Sequence, residues 1–332
     1  MKRVAINGFG RIGRAFLRIA HSQPDIEVVA INDVALKPDV AAYLLQYDSV
    51  YRRFPAEVSY DEKGLFVGDR RIALLAERDP AALPWKETDI DVVIESTGIF
   101  RTAEKAAKHL EAGAKKVIIS APAKGSSVPT FVYGVNHETY APERDNVISA
   151  ASCTTNCLTP IAKILQDEFG IQKALMTTVH AYTADQRLVD MAHPEEWARG
   201  RGAAQNIVPT TTGAATAVAL VLPELKGRID GMALRVPTAT GSVTDLSALL
   251  EKDVTEDEVN NAFRRYASGS MSKIIKVSEV PLVSSDCIGD SSSAIVNLPS
   301  TSVLDRNFIK NIAYYDNEWG YTNRLVDLAS YI

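Results

Sequence analysis

The sequence predicts an α/β chain in two parts: a parallel sheet wrapped by helices, then an α+β region built on a largely antiparallel sheet. Short apolar runs at Val4 to Ile6, Val28 to Ile31, Val92 to Ile94, Val117 to Ile119 and Phe131 to Val135 alternate with helical patterns. That alternation marks parallel β-α-β units whose strands are buried on both faces. After about residue 150 the runs lengthen and alternate, at Lys173 to Thr178, Gly231 to Val236 and Thr244 to Leu250, interrupted by helical stretches at Thr155 to Phe169, Gly213 to Leu222 and Thr255 to Ala267. Such a texture is α+β. At 332 residues the chain also exceeds one small core, and two domains are expected.

Composition narrows the class. Hydrophobic residues make up 46% and charged residues 23%, as in a compact globular protein. The formal charge of -5 comes from 36 basic and 41 acidic side chains that form no long single-sign block, so neither nucleic acid nor a membrane surface is expected as principal partner. A strand pattern begins within three residues of Met1, which leaves no room for a signal peptide, and no apolar run approaches the roughly 18 residues of a membrane span. Three cysteines, Cys153, Cys157 and Cys287, are an odd number. A disulfide framework is not expected, and reducing cytoplasm is the expected compartment.

The glycines at the start carry the first chemistry. Gly8, Gly10 and Gly13 follow the strand Val4 to Ile6 and open a helix in which Ile12, Phe16 and Ile19 share a face, and Asp33 stands 20 residues beyond Gly13. Gly8 permits the turn, Gly10 lets backbone approach a pyrophosphate, and Gly13 lets the helix close on its strand. The helix N-terminus then meets the phosphates. Asp33 accepts from the ribose hydroxyls and repels a 2′-phosphate, so a Rossmann-type domain binding NAD in preference to NADP is expected. Its range is 1–151, completed by a C-terminal helix over 317–332, where Leu325, Leu328 and Ala329 fall at helical spacing. The range 152–316 is left for a catalytic domain.

The second chemistry lies in NVISAASCTTNCL, where a strand passes through small residues into a helical pattern. Cys153 then sits at a helix N-terminus, a position that lowers a thiol pKa. His180 ends an alternating strand in TTVHAYT, placed to serve first as an imidazolium partner and then as general base. Cys157 and Cys287 are expected as packing residues. No further Cys or His stands at zinc-ligand spacing, so no metal is expected.

The strings INGFGRIGR, ASCTTNCL, HAYTADQ, PTTTGAA, RVPT and YYDNEWGY, in this order along the whole chain, resemble the phosphorylating glyceraldehyde-3-phosphate dehydrogenase family. The resemblance implies a cytoplasmic homotetramer that oxidises glyceraldehyde 3-phosphate with NAD and inorganic phosphate, through a hemithioacetal and thioester on Cys153 activated by His180. It implies Arg11 and Ile12 in the pyrophosphate loop, Arg78, Thr97 and Ser120 along the cofactor groove, and Asn317 holding the carboxamide with Tyr321 packed nearby. Thr183 and Arg235 are implied for the substrate phosphate, with Asp185 steadying Arg235 or its neighbourhood. Ser152, Thr154, Arg199, Thr212 and Gly213 are implied for inorganic phosphate.

Two departures from the family pattern stand out. Met191-Ala192 replaces the Leu-Pro pair usual in strictly NAD-dependent members, so preference for NAD with residual use of NADP is expected. Trp197 and Gly200 in EEWARGRG replace a more basic stretch. Two rivals remain at this level: erythrose-4-phosphate dehydrogenase, which shares the cysteine and histidine but lacks HAYT and PTTTG, and a dinucleotide-binding regulatory protein without catalysis.

Overall fold

The computed structural model describes residues 1–332. The chain divides into two compact units, Met1–Ala151 with Thr322–Ile332, and Ser152–Tyr321.

The first unit alternates strand and helix: β1 (Lys2–Asn7), α1 (Arg11–Ala20), β2 (Ile26–Asn32), α2 (Pro38–Gln46), β3 (Val58–Asp61), β4 (Gly64–Val67), β5 (Arg70–Leu75), β6 (Val92–Glu95), α3 (Ala103–Glu111), β7 (Lys116–Ile119) and β8 (Val147–Ser149). Their order across the sheet is β3-β4-β5-β2-β1-β6-β7-β8. The strands from β5 to β8 are parallel, and β3 and β4 extend the edge antiparallel. Val4 pairs with Val92, Ala5 with Val93 and Ile6 with Ile94, and all six are buried. Continuous apolar runs are what a strand covered on both faces requires. The chain first builds outward from β1 through β2 and then returns to place β6 on its other side. That reversal opens a crevice beyond the carboxyl ends of β1 and β6.

Phe131 to Val135, expected as a strand, is a turn. Gly134 takes φ +84, and the Asn136 side chain accepts from Val132 N–H and donates to the Thr130 carbonyl, satisfying locally the groups a ladder would use. Only Thr130 forms a bridge, to Ser149.

The second unit contains α4 (Cys153–Phe169), β9 (Ile171–Ala181), β10 (Val208–Thr210), α5 (Ala214–Val221), β11 (Ile229–Val236), β12 (Ser242–Leu250), α6 (Glu256–Ser268), β13 (Ile275–Ser278), β14 (Ala294–Asn297), β15 (Ser302–Leu304) and β16 (Phe308–Tyr315), and it runs into α7 (Trp319–Tyr331). The sheet order is β10-β11-β9-β12-β16-β14-β13, with β15 on β16. Pairs β11·β9 and β13·β14 are parallel and the rest antiparallel. Helix α4 packs on β9, β12 and β14, and α5 on β11. Two-residue periodicity puts Thr178 and His180 on one face of β9, while Leu175, Thr177 and Val179 take the other. The capping box of Thr255 and Glu258 starts α6, and Gly170, at φ +72, ends α4.

Gly13 and Gly10 make opposite demands. A Cβ at Gly13 would stand 2.2 Å from the Gly8 carbonyl oxygen, a backbone atom, whereas one at Gly10 meets nothing within 4 Å. Gly13→Ala should therefore lower unfolding stability by about 3 kcal/mol through overpacking, and Gly10→Ala by under about 1 kcal/mol through a poorer helix cap. Urea unfolding of the two variants checks this; equal losses would show that helix–strand contact is not what Gly13 provides.

Candidate active site

In the first unit the glycine turn, Asp33 and the strand ends enclose a cavity of about 430 Å³ lined by Gly8, Gly10, Asp33, Arg78, Thr97 and neighbours. Gly8 takes φ +94, and a Cβ there would stand 2.7 Å from Thr97 N, so β1 and β6 close together only because the residue is glycine. Gly10 caps α1 without a side-chain oxygen, so the helix end is open to an anion. Asp33 accepts from Phe9 N–H and Ala35 N–H, both at 2.9 Å, which fixes its carboxylate at the cavity wall. Arg11 and Ser120 do not line this cavity. Arg11 turns its guanidinium to Asp48 and over the Tyr51 ring, and Ser120 donates its N–H to the Glu95 carbonyl at 3.0 Å. Ile12 follows Arg11 in the first turn of α1. An open glycine corner, an uncapped helix end and a fixed carboxylate fit the pyrophosphate and ribose of a dinucleotide.

Beneath this cavity lies a network that spacing did not reveal. The Glu95 carboxylate is buried and accepts from Asn7 Nδ2 at 2.6 Å, from His109 Nε2 at 3.1 Å, from Thr97 N–H at 2.9 Å and from the Thr97 hydroxyl. Trp85 donates its indole N–H to His109 Nδ1 at 3.0 Å. That bond makes Nδ1 an acceptor, so His109 is neutral and carries its proton on Nε2. A buried carboxyl with four hydrogen-bond partners is tolerable where an unpaired one is not. The only outward sign was an acid ending the apolar run VVIE.

In the second unit Cys153 opens α4, with Ser152 as N-cap: its hydroxyl accepts from Thr155 N–H at 3.1 Å. Cys153 Sγ lies 3.3 Å from His180 Nε2. His180 and Arg235 are register partners across β9 and β11, and Arg235 Nη1 is 3.1 Å from the Ala181 carbonyl and 2.7 Å from His180 Nδ1. Nδ1 is also 2.7 Å from that carbonyl. Both donors converge on its two lone pairs, so we assign the proton to Nδ1, leaving Nε2 bare to accept the thiol proton.

The electrostatics correct two expectations. Burial, with the Arg235 charge beside it, pushes the imidazole down to about 3, so His180 rests neutral rather than as imidazolium. Burial also raises the Cys153 thiol, while Arg235, Thr154 and the first N–H groups of α4 pull the other way. The helix terminus is where the sequence put it, but desolvation outweighs it. The resting pair is thiol and imidazole.

Around this pair the remaining residues divide. Thr154, expected at a phosphate, turns its hydroxyl to Tyr315 Oη at 2.9 Å, and Thr178 meets the same oxygen at 2.9 Å. Tyr315 also stands edge-on to His180 with ring centroids 6.0 Å apart. Asp185, expected to steady Arg235 or its neighbourhood, pairs with Arg199 and, at 3.5 Å, with His193. Arg199 also meets Glu196 at 3.1 Å and the Thr211 carbonyl at 3.3 Å. Thr212 accepts from Ala214 N–H at 3.2 Å at the start of α5, where Gly213 faces open space. Thr183 is half-buried, its carbonyl bonded to Gln186 N–H at 2.9 Å. The Arg235 Nε is buried without a partner. Asn317 is buried with its Oδ1 bonded to β12, and Tyr321, in the first turn of α7, is buried too. Cys157 and Cys287 are free and buried, each thiol pushed up to about 12 by that burial.

The imidazole has a signed consequence. Unfolded, His180 binds its proton near the ordinary value of about 6.5; folded, it does so near 3, so the unfolded chain holds more protons between those values. Its stabilising contribution is complete above about pH 6.5 and is lost as pH falls toward 3. His180→Asn should flatten the acid limb of a stability-versus-pH curve and slow Cys153 alkylation by iodoacetamide at neutral pH by about tenfold, because no base remains to take the thiol proton. An alkylation rate identical to that of the unaltered protein would refute the pairing.

Comparison with known proteins follows this geometry. The family profile described as glyceraldehyde 3-phosphate dehydrogenase, NAD binding domain, matches residues 2–103, and that described as the C-terminal domain of the same enzyme matches residues 152–317. The chain is 55% identical over 330 residues to glyceraldehyde-3-phosphate dehydrogenase of Geobacillus stearothermophilus, covering 99% of this chain and 98% of that one. It is 52% identical to glyceraldehyde-3-phosphate dehydrogenase 1 of Bacillus subtilis with the same coverage, and 49% identical to glyceraldehyde-3-phosphate dehydrogenase 1 of Saccharomyces cerevisiae over 100% and 99% of the two chains. With both halves matched and the likeness running end to end, the chain belongs to the glyceraldehyde-3-phosphate dehydrogenase family.

Proposed function

We propose that this chain oxidises D-glyceraldehyde 3-phosphate to 1,3-bisphosphoglycerate, with NAD as cofactor and inorganic phosphate as acyl acceptor. The observation that carries the reading is the Cys153 sulfur at the head of α4, 3.3 Å from His180 Nε2, with the half-buried Arg235 against the same ring. His180 Nε2 takes the thiol proton as sulfur bonds to the aldehyde carbon and hands it to the carbonyl oxygen, which gives the hemithioacetal hydroxyl and leaves Nε2 free again. NAD, when bound, supplies the hydride acceptor that no side chain of the protein can replace. His180 takes the hydroxyl proton as the carbon becomes a thioester; phosphate oxygen then displaces sulfur, and the thiol is restored.

The residues divide the labour as follows. Gly8, Gly10, Arg11, Ile12 and Gly13 hold the pyrophosphate, Asp33 the ribose, and Arg78, Thr97 and Ser120 line the groove. Asn317 takes the carboxamide, with Tyr321 packed nearby. Arg235 and Thr183 take the substrate phosphate; Ser152, Thr154, Thr212, Gly213 and Arg199 serve inorganic phosphate, Thr154 through its backbone. A phosphate arriving at Arg199 competes with Asp185 and Glu196 for the guanidinium. Residues 1–151 with the C-terminal helix form the cofactor domain and 152–316 the catalytic domain. Asp33 makes NAD the preferred cofactor, and Ala192 leaves residual use of NADP. The cytoplasm is the proposed compartment; no helix is long and apolar enough to cross a membrane.

NADH formation from glyceraldehyde 3-phosphate should require added phosphate and cease in Cys153→Ser. Turnover that continues at full rate without phosphate would assign water, not phosphate, as acyl acceptor and sink this reading.

A homotetramer is proposed as the working form. One face of the second sheet carries no helix and leaves Leu175, Met232 and Phe308 exposed, which suits burial against another copy. Sedimentation should give about four times 36.1 kDa, and Leu175→Lys should shift the population toward smaller species. A monomer at micromolar concentration would dismiss the assembly.

A further inference from the structure

Asn317 follows β16, and its side-chain amide is gripped from one side. Oδ1 accepts from Gly241 N–H at 3.1 Å, from the Ser242 hydroxyl at 2.9 Å and from the Thr240 hydroxyl at 3.2 Å. A backbone N–H can only donate, so the amide atom that meets Gly241 is oxygen, and Nδ2 is turned the other way. The N–H is itself immovable. Gly241 takes φ +88, and a Cβ there would stand 2.4 Å from the Ser284 carbonyl oxygen. Ser242 is fully buried, and its Oγ accepts from Ala181 N–H at 3.1 Å. That bond occupies a lone pair and leaves the hydroxyl proton for Asn317. Ala181 is the residue whose carbonyl receives the His180 Nδ1 proton, so one hydroxyl ties the strand that orients the imidazole to the amide of Asn317.

We propose that Ser242 is a positioning residue: it fixes the Asn317 amide with Nδ2 outward, so that the protein presents a donor, and not an acceptor, to the carboxamide of the cofactor. The proposal rests on the reading of Asn317 given above. The chemistry follows from the amide's two ends. An outward Nδ2 selects a carbonyl oxygen; an outward Oδ1 would select an amine and receive the carboxamide the other way round. Without Ser242, Asn317 loses its shortest bond, Ala181 N–H loses its acceptor, and the amide is freer to rotate.

Calorimetric titration of the full-length protein, free of cofactor, separates this role from general damage. NAD and ADP-ribose share everything but the nicotinamide. Ser242→Ala should bind NAD about tenfold more weakly and ADP-ribose within about twofold of the unaltered protein, and Ser242→Thr, which keeps the hydroxyl, should recover NAD affinity to within about threefold. If Ser242→Ala does not fold, Thr240→Val removes a different donor to the same oxygen and should weaken NAD alone by about threefold. Parallel losses for NAD and ADP-ribose would overturn the proposal, as would unchanged NAD binding in Ser242→Ala when Asn317→Ala is impaired. If Asn317→Ala itself binds NAD normally, the reading of Asn317 falls first, and this inference with it.

Discussion

A sulfur and an imidazole nitrogen 3.3 Å apart set the terms for the second unit. Neither ionises readily there, so each must be ready to exchange one proton with the other and with nothing else. Readiness of that kind is geometric. It requires the imidazole to present one nitrogen bare and hold the other protonated, and the Ala181 carbonyl accomplishes this by taking the Nδ1 proton at 2.7 Å. The carbonyl stays put because β9 is flanked on both sides, by β11 and β12. Register then brings Arg235 opposite His180, and strand periodicity puts Thr178 on the same face, within reach of Tyr315.

The first unit meets a similar demand with hydrogen bonds. Glu95 is buried, which would be costly without its partners Asn7, His109 and Thr97. Those partners belong to β1, to α3 and to the turn after β6, so satisfying one buried carboxyl locks three elements in register. Thr97 and Asn7 line the dinucleotide cavity. A network that looks like core packing thus decides the shape of the wall against which a ligand must fit.

Wherever period and glycine placement governed, the sequence could be read. The strands Val4 to Ile6, Val28 to Ile31, Val92 to Ile94 and Val117 to Ile119 lie inside observed strands, and the helices beginning near Arg11, Thr155, Gly213 and Thr255 lie within a residue or two of observed ones. Short strands escaped: VSYD and GLFV, at a sheet edge, are too brief and too polar on one side to show a period. Phe131 to Val135 was misleading because an apolar run says nothing about a neighbouring Asn that takes up its backbone groups. At the site, the residue types of Cys153, His180 and the glycines were legible, but their ionisation was not. Helix position is local and can be read from spacing; desolvation depends on everything packed around the group. Asp185 illustrates the same limit, since only the fold decides whether Arg199 or Arg235 becomes its partner.

Arg235 finally explains how a pair that rests neutral can be made reactive on demand. Its charge stabilises a thiolate but repels an imidazolium, and Nη1 is 2.7 Å from the imidazole nitrogen, so repulsion of the protonated ring is the nearer effect. That repulsion is one of the causes that hold His180 near 3, after burial itself. An anion docked on the guanidinium screens it. On the assignment proposed for Arg235, the substrate's own phosphate is that anion: it relieves the imidazole and makes Nε2 a stronger base as the aldehyde arrives. Coupling of this sort asks for an arginine held against the ring edge, and a surface lysine, screened by water, would not provide it.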